Sequence, residues 1–350
     1  MNALRPALAA LAPDDSCGTW LQQLVQQRLD TLPLPGAGHT LQRWQALADV
    51  AAFDLSLVKL FEGHTDALAI LQELGVKDVN RRLGAPDVAR WAVWASEAPP
   101  GRVIVTEGAS AGTVRLNGVK HWCSGASCVD LALLTAWAPE GSGPQLVALP
   151  LAQPGVTVVP DAWQAVGMAA SGSFDVQLSE ATAWPVGSPG DYLARPGFCH
   201  GGAGIAACWY GGAMGLANTL QQLLIDHTVR TGGAIPSAFK LAAAGRADVA
   251  LRSTAMLLRD AARWIDKHPD GDACSMTLRV RLAAQACAQQ VLDEAGRALG
   301  PTPFCHDAAF ARRAADLPVF IRQCATDTDF AALGERVIAH ADEKDAPWLL

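Results

Sequence analysis

The spacing of apolar residues changes twice along this chain of 350 residues, and this limits the possible fold more than any other feature. From about residue 88 to residue 185, apolar and polar residues alternate in short runs, and clusters of Gly, Pro and Asp separate these runs. The pattern predicts strands at 92–96, 103–107, 113–123, 131–137, 146–149, 156–159 and 173–178. Because no helical pattern intervenes, we expect residues 91–186 to form an antiparallel β-barrel or sandwich.

On either side of this region, apolar residues recur at steps of three and four, which is typical of amphipathic helices. Before it, the pattern predicts helices at 21–29, 41–58 and 66–74, with breaks at 33–36 and 62–64. After it, Ala-rich stripes predict long helices at 201–226, 237–265, 275–299 and 307–324. We therefore expect an α+β multidomain chain: an N-terminal α-helical domain at 1–90, the middle β domain at 91–186, and a C-terminal four-helix bundle at 187–350.

Composition argues against several classes of function. The formal net charge is −7 and Lys and Arg are not clustered, so we expect no nucleic-acid partner. No apolar run approaches the ~20 residues of a membrane span, and the N-terminus lacks the pattern of a secretory signal. We therefore expect a soluble, cytoplasmic protein whose nine irregularly spaced cysteines are reduced and mostly buried.

Three short motifs contain reactive residue types but lack the context that the chemistry requires. His121, Cys123 and Cys128 could ligate a metal, but a zinc site needs four convergent ligands and no second matching pair exists, so we expect no metal. The glycines of 202–207 imitate a dinucleotide fingerprint without the buried strand that should precede it. Cys, His and Asp are adjacent at 305–307, but consecutive side chains diverge, so a helix start is the better interpretation.

The stretch 116–126 carries the most information about function. Asn117 and Gly118 tolerate a positive φ, and the alternating runs around them predict a type I′ hairpin turn followed by a strand at 119–123. Alternation along that strand places Trp122 on the face opposite its two neighbours. Small residues follow it. An aromatic ring beside a hydroxyl at a strand end favours binding of a flat ring with polar edges, although a core position is the commoner role of a strand Trp.

Residues 116–126 resemble the sequence NGxKxWITNG of the acyl-CoA dehydrogenase family, with Ser124 in place of the Thr. Residues 93–97 are similar to that family's xxVTE segment, and residues 167–176 are similar to its GxRxSxxxxVxF segment, with Ala170 where the Arg usually stands. The order and spacing of these segments agree across most of the chain. The resemblance implies an α, β, α order of domains, with a flavin held between the β domain and the helical bundle.

The resemblance also implies FAD as the cofactor. The positions that contact flavin in the family correspond here to Val93, Ala95, Ser96, Trp122, Cys123 and Ser124, and Arg230 corresponds to an Arg that holds the pyrophosphate. The predicted bundle helices carry apolar residues on more faces than one chain can cover. This additional apolar surface must be buried, so we expect a homodimer or homotetramer. Its predicted interface includes Trp209, Tyr210 and the helix after Ser237.

The catalytic base of the family is missing from both of its usual positions. In most members a Glu takes the α-proton of the acyl thioester while the flavin takes a hydride, and the corresponding position here is Arg322. A guanidinium stays protonated and cannot accept that proton. The alternative position, within 204–207 on the first bundle helix, has no carboxylate either. The nearest candidates for a relocated base are Glu97, Asp316 and Asp327.

Three functions are therefore consistent with the sequence. The first is an FAD-dependent acyl-CoA dehydrogenase-like oxidoreductase that acts on an acyl-CoA or a related small molecule. The second is a flavin-dependent monooxygenase or oxidase of the same fold, which works with a partner reductase and needs no proton-abstracting Glu. The third is a non-catalytic homo-oligomeric relative. With Arg322 at the usual base position, ordinary acyl-CoA dehydrogenase activity is expected to be weak or absent.

Overall fold

The computed structural model describes residues 3–97, 102–138 and 143–339. The helices are α1 (Leu4–Ala9), α2 (Cys17–Gln26), α3 (Thr40–Phe53), α4 (Leu55–Glu73), α5 (Val79–Arg82), α6 (Asp191–Ala194), α7 (Gly197–Arg230), α8 (Ala238–Lys267), α9 (Cys274–Leu299), α10 (Thr302–His306), α11 (Ala308–Phe320) and α12 (Thr326–Ala339). The strands are β1 (Trp91–Trp94), β2 (Ile104–Glu107), β3 (Val114–Cys123), β4 (Leu131–Trp137), β5 (Pro144–Pro150), β6 (Val156–Val159) and β7 (Phe174–Val186). Short 3₁₀ helices lie at Pro160–Ala162, Ala169–Ser171 and Ile321–Gln323. Within these described ranges, no helix combines the length and the apolar character that crossing a membrane requires.

One sheet contains the seven described strands, in the order β1-β4-β2-β3-β7-β5, with β6 paired to β7. Because β5 also pairs with β4, the pairings from β4 through β2, β3, β7 and β5 form a closed cycle. Most neighbours are antiparallel. However, β1 runs parallel to β4, with Trp91 opposite Leu131, and β2 meets β4 in parallel where Ile104 lies opposite Trp137.

The prediction of a purely antiparallel domain is therefore wrong, and the sheet is mixed. Alternation of apolar residues reports which face of a strand is buried, but it does not report the direction of the neighbouring strand. The clearest case is β4, which buries every residue from Leu131 to Ala136 and lies between β1 and β5. A near-continuous apolar run of this kind is typical of strands covered on both faces.

Asn117 and Gly118 do not form a hairpin turn, because β3 runs through them without a break. The pairing of β3 with β7 shifts its register between Leu116 and Gly118, which marks a β-bulge, and Gly118 has a φ of 128° there. Across the pair, Glu180 N donates a hydrogen bond of 2.9 Å to Asn117 Oδ1. The turn prediction is wrong because the positive φ that Gly permits is used for a bulge inside one long strand.

Gly118→Ala is expected to destabilise the sheet by about 2–3 kcal/mol. A Cβ atom at this position would overlap Arg102 O, and a backbone oxygen cannot move aside as easily as the end of a flexible side chain. Gly334→Ala is the matched control, since a Cβ there meets nothing within 4 Å. Urea unfolding followed by circular dichroism measures both. A loss below about 0.5 kcal/mol for Gly118→Ala would contradict the bulge.

Helix α4 passes without interruption through the break predicted at 62–64. Its start is fixed by Asp54, whose Oδ1 accepts a hydrogen bond of 2.8 Å from Leu57 N. Within the helix, a Cβ on Gly63 would lie 3.7 Å from Val93 N, which is an ordinary contact distance, so Gly63 faces β1. The Gly that suggested a break instead lies inside the helix, on the side that packs on the sheet.

His64 joins α4 to two other parts of the chain. It is 1% exposed. Trp91 N donates a hydrogen bond of 3.0 Å to its Nδ1, so Nε2 carries the ring proton and donates it to Asp30 Oδ2, also at 3.0 Å. This arrangement satisfies both ring nitrogens and ties α4 to Asp30 and to the start of β1.

Contacts divide the chain into two compact units. The first unit contains Met1–Leu34 and Asp54–Phe198, so that α1, α2 and α4 belong with the sheet. The second contains Pro35–Phe53 and Cys199–Leu350, so that α3 belongs with the C-terminal helices. The division into three domains at residues 90 and 186 stays a prediction.

Trp209 belongs to the core of the second unit. Its side chain is 0% exposed, and its ring meets that of Phe320 edge to face at a centroid distance of 6.4 Å. The expectation that Trp209 lies at a subunit interface is therefore wrong, because its apolar surface is already covered by its own chain. The expected homodimer or homotetramer stays a prediction, with Phe239, Val249 and Met256 as exposed apolar residues on α8.

Cys199 and Cys274 form a disulfide in the second unit, with a Cα–Cα distance of 5.3 Å. The expectation that all cysteines are reduced is therefore wrong for this pair. The two cysteines stand near the starts of α7 and α9 and are 75 residues apart. Spacing alone could not have paired them, because only the packing of the two helices brings their first turns together.

Candidate functional site

The end of β3 exposes Trp122. The pairing of β3 with β7 shifts between Lys120 and Cys123, and Trp122 lies in the left-handed region there, with a φ of 57°. Trp122 is 56% exposed while Cys123 is 0% exposed, which agrees with the predicted alternation of these two side chains. A left-handed backbone costs a bulky residue about 1–2 kcal/mol, and such conformations concentrate at functional sites.

Cys123 does not offer its thiol to a ligand. Its Sγ donates to Lys120 O at 3.2 Å, and burial raises the pKa of the Cys123 thiol, so the sulfur stays protonated. Of the predicted contact residues at this strand end, Trp122 exposes its side chain, and Ser124, the residue after β3, is 9% exposed. Cys123 can contribute only backbone groups.

Three serine hydroxyls form a chain beneath this strand end. Ser124 Oγ lies 2.8 Å from Ser173 Oγ, Ser173 Oγ lies 2.7 Å from Ser171 Oγ, and Ser171 Oγ donates to Met168 O at 2.7 Å. Gly125 N donates to Ser171 O at 2.8 Å, which ties the segment to the end of β3. Sequence reasoning did not assign a role to Ser171 or Ser173, although both lie in the segment 167–176 that resembles a family motif.

The end of strand β1 lies beside the end of β3. Trp94 Nε1 donates a hydrogen bond of 3.0 Å to Ser124 O, so the predicted segments 93–96 and 122–124 are brought together. Val93 and Ala95 are half-buried and Ser96 is exposed. A cavity of about 10 Å³, lined by Val93, Ser124 and Lys59 among others, lies between β1 and α4. That volume is about one water molecule.

Glu97 pairs with the buried Lys120 and Thr135 in a partly buried polar cluster, which argues against its proposed role as the base. Lys120 Nζ lies 2.9 Å from Glu97 Oε1 and donates to Thr135 O at 3.1 Å and to Thr135 Oγ1 at 2.9 Å, and Thr135 Oγ1 also donates to Glu97. Burial opposes the shift, but hydrogen bonds from Thr135 and Lys120 hold the pKa of the Glu97 carboxyl below its usual value. A general base near neutral pH needs the opposite shift.

The predicted residues of the second unit lie on its helices and turns. Arg230 is exposed at the end of α7, where its Nε donates to Asp226 O of the same helix at 3.3 Å. Arg322 is exposed in the 3₁₀ turn after α11. Of the two remaining candidate bases, Asp316 is 3% exposed within α11, and Asp327 is exposed in the first turn of α12.

We use the name strand-end cluster for Val93, Ala95, Trp122, Ser124 and Ser173, which lie at the ends of β1 and β3 and just before β7. The set comprises an exposed aromatic residue, two half-buried aliphatic residues and two buried serines. A flat heteroaromatic ring needs an apolar surface for its face and hydrogen-bonding groups for its edge. The residues present therefore fit a flavin ring.

Comparison with known proteins gives matches among solved structures. No family profile and no sequence of a curated protein matches this chain. The dibenzothiophene monooxygenase TdsC from Paenibacillus sp. A11-2, solved with FMN and indole, is 18% identical over 97% of this chain and 95% of that chain, with a TM-score of 0.78. A nitrososynthase from Micromonospora carbonacea var. africana is 17% identical over 98% and 95%, with a TM-score of 0.76. The methanesulfinate monooxygenase MsuC from Pseudomonas fluorescens is 18% identical over 97% and 96%, with a TM-score of 0.73.

These matches decide the fold. The fold is acyl-CoA dehydrogenase-like. At identities of 17% and 18%, the likeness concerns the fold alone, with a β-sheet domain and a helical C-terminal region, and it assigns no substrate to this chain. The solved structures include flavoenzymes, one of them crystallised with FMN and a small aromatic molecule.

Proposed function

We propose that this chain is a flavin-dependent monooxygenase that holds FMN against the strand-end cluster and oxygenates a small molecule. The observation that carries the proposal is Trp122, which is held in a left-handed conformation with its side chain 56% exposed. Ser124 stands beside it with a nearly buried hydroxyl. The shared fold with monooxygenases TdsC and MsuC supports the same assignment.

The cofactor is FMN in this proposal, whereas the sequence resemblance implied FAD. TdsC was crystallised with FMN. The residue expected to hold the FAD pyrophosphate is Arg230. It lies exposed at the end of α7, and its Nε donates a hydrogen bond to a carbonyl oxygen of its own helix. Parallel titrations with FMN and FAD, followed by fluorescence quenching, distinguish the two. Tighter binding of FAD would restore the original expectation.

The chain's own residues would bind and orient the ring. Trp122 offers an aromatic surface, Val93 and Ala95 offer aliphatic surface, and Ser124 offers a hydroxyl at the ring edge. The reduced flavin would supply the electrons with which oxygen is activated. Exclusion of water by the half-buried aliphatic side chains would strengthen the polar contacts at the edge.

A monooxygenase also agrees with the state of the candidate bases. Acyl thioester dehydrogenation requires a carboxylate that accepts the α-proton. Glu97 is engaged by Lys120 and Thr135, and its pKa is held low by them although burial opposes this. Arg322 stands at the family's usual base position and cannot accept a proton. Oxygen chemistry on a reduced flavin needs neither group.

Oxygen transfer and acyl-CoA oxidation test the proposal directly. We expect the protein, supplied with FMN, NADH and a flavin reductase, to add one oxygen atom to indole or to a small sulfur- or nitrogen-containing compound, detected by mass spectrometry. We expect no bleaching of the flavin band on anaerobic mixing with acyl-CoAs of increasing chain length, because general-base catalysis contributes about 10²–10⁴-fold and its group is missing.

Rapid bleaching by any acyl-CoA would refute the proposal in favour of a dehydrogenase. The variant Arg322→Glu is the informative control for that experiment. If residue 322 corresponds to the family's base position, the new carboxylate should create or increase bleaching. A protein that binds neither FMN nor FAD would instead support the non-catalytic relative.

A further inference from the structure

Two sulfurs and a carboxylate meet where the first turns of α7 and α9 come together, and we call these residues the helix-start group. Cys199 lies in the first turn of α7, Cys274 is the first residue of α9, and Asp272 lies two residues before it. One ligand atom from each of the three side chains lies within 4.8 Å of the other two. Sulfur and carboxylate oxygen are both ligands of zinc in proteins. No motif marks the group in the sequence, because most of α7 and all of α8 separate its members.

The carboxylate of this group is held from two sides. Asp272 Oδ1 accepts a hydrogen bond of 2.8 Å from Cys274 N, and Asp272 Oδ2 accepts one of 2.7 Å from Arg336 Nη1 on α12. Carboxylates that bind metals are typically oriented by such outer hydrogen bonds. The guanidinium also offsets charge, since two thiolates and a carboxylate carry one negative charge more than a divalent ion neutralises. Asp272 is 62% exposed, so a cation can reach it from solvent.

The two cysteines are held together by contacts that do not involve their sulfurs. Thr277 Oγ1 on α9 donates a hydrogen bond of 2.8 Å to Cys199 O, and Thr277 is 6% exposed. One turn along α7, a Cβ on Gly202 would lie 3.5 Å from Thr277 Cγ2, so the two helices are in contact beyond the disulfide. We therefore expect the two thiols to remain neighbours after reduction. Their Cα–Cα distance of 5.3 Å allows one ion, with metal–sulfur bonds of about 2.3 Å, to bind both sulfurs.

The position of the sulfurs also favours the charged form that binds metals. The thiolate, and not the thiol, is the metal ligand. Both sulfurs stand at the N-terminal ends of long helices, α7 and α9, where the partial positive charge of the helix stabilises a nearby negative charge. In the disulfide neither sulfur carries a charge. The same two side chains therefore form either a covalent link between the helices or a pair of soft ligands.

We propose that reduction of the disulfide converts the helix-start group into a site for one divalent thiophilic cation of the zinc type. Cys199 and Cys274 are the thiolate ligands, Asp272 is the carboxylate ligand, and water takes the fourth position, as in zinc sites with three protein ligands. With a phosphine as reductant, one water gives its oxygen to the phosphorus and its two protons to the two sulfurs. Metal binding then releases these two protons to solvent. This inference is independent of the proposed function.

Zinc binding by the full chain in its two redox states tests the inference. One sample keeps the disulfide, as checked by thiol titration. The other is reduced with the phosphine TCEP and freed of reductant under nitrogen. Both are mixed with Zn²⁺, separated from unbound metal by gel filtration and analysed by atomic emission. We expect one zinc ion per chain in the reduced protein and none in the oxidised protein. With Co²⁺ as the probe, the reduced protein should show the intense near-ultraviolet absorption of cobalt bonded to thiolates.

Variants of the reduced protein identify the ligands. Cys199→Ser and Cys274→Ser should each weaken zinc binding at least about 100-fold, the upper end of the cost of losing an outer partner of a metal site. Asp272→Asn should weaken it about tenfold or more, and because Asp272 is exposed this variant covers the case in which a cysteine variant does not fold. Cys305→Ser is the matched control, since Cys305 is an exposed free cysteine outside the group and its loss should change nothing.

Three results would overturn the inference. They are a reduced wild type that binds no zinc, equal zinc binding by the oxidised and reduced wild type, and wild-type affinity in both folded Cys199→Ser and folded Asp272→Asn. Each of these leaves FMN binding and oxygen transfer untouched, so the proposed function stands or falls by its own experiments.

Discussion

Glu97→Ala is expected to destabilise the first unit by about 3 kcal/mol, the low end of the cost of removing one partner from a buried ion pair. Lys120 is 3% exposed, and without Glu97 the hydrogen bonds that its ammonium keeps among the described residues are those to Thr135 O and Thr135 Oγ1. A cation left in this environment without a counter-charge is costly. We take the low end of this cost because Glu97 itself is 34% exposed, so water can replace part of its interaction with Lys120.

Urea unfolding of the flavin-free protein measures this effect, with two controls. The double variant Glu97→Ala, Lys120→Met removes both charges and should recover most of the lost stability, since apolar replacement of a buried pair is often close to neutral. Arg81→Ala breaks an exposed pair, Arg81 with Asp78, whose side chains are 79% and 65% exposed, and should cost less than about 0.5 kcal/mol. If the double variant is as unstable as the single one, loss of packing and not the uncompensated charge is the cause.

The effect also has a definite dependence on pH. Burial lowers the pKa of Lys120 from its usual value of 10.5, and the attraction of Glu97 opposes this shift. Glu97→Ala removes this attraction, so the pKa of Lys120 in the folded state falls further below its value in the unfolded chain. The penalty should therefore be largest near neutral pH and shrink as the pH rises toward about 10, where the unfolded lysine loses its proton too. The double variant, which has no lysine at this position, should lack that recovery.

In the wild type, the stability that the Glu97 carboxyl group contributes depends on pH in the acid range. Because the pKa of Glu97 is lowered in the folded state, its contribution to stability is present above its usual value of 4.5 and is lost as the pH falls through the folded value. The free energy of unfolding of Glu97→Ala should therefore lack this loss as the pH falls.

Where burial alone determines an element, the sequence predicts it well. The strand β4 was predicted at its observed bounds, and α9 was predicted from residue 275 against an observed start at Cys274. Each shows one clear pattern of apolar residues, either continuous as in β4 or at helical steps as in α9. These patterns depend on which residues are buried and not on which strand or helix covers them, so the sequence alone is enough to recognise them.

The features that determine the candidate site depend on distant parts of the chain. The left-handed Trp122 and the bulge at Gly118 result from a mismatch between β3 and β7, which no local pattern in β3 records. Glu97, Lys120 and Thr135 are each unremarkable in sequence, and they meet only because the closed cycle of strands brings them together. The role of Ser171 likewise depends on a carbonyl three residues earlier and on the position of Ser173.

Trp122→Ala is expected to weaken FMN binding by about 1–3 kcal/mol, or roughly 5- to 150-fold in Kd. The change removes the largest exposed apolar surface of the strand-end cluster, and it leaves the serine chain and the buried Lys120 cluster in place. Quenching of FMN fluorescence gives the affinity. Phe239→Ala is the matched control, because Phe239 on α8 is also 56% exposed and should leave the affinity unchanged.

Trp122→Gly separates the role of the ring from that of the backbone. Gly accepts a φ of 57° without strain and Ala does not, so Trp122→Gly should be more stable than Trp122→Ala by about 1 kcal/mol, while both lose the same affinity for FMN. That pairing of a gain in stability with a loss in binding is expected where strain is retained for function. If Trp122→Ala binds FMN as tightly as the wild type does, the ring does not contact the flavin, and the strand-end cluster is not the site.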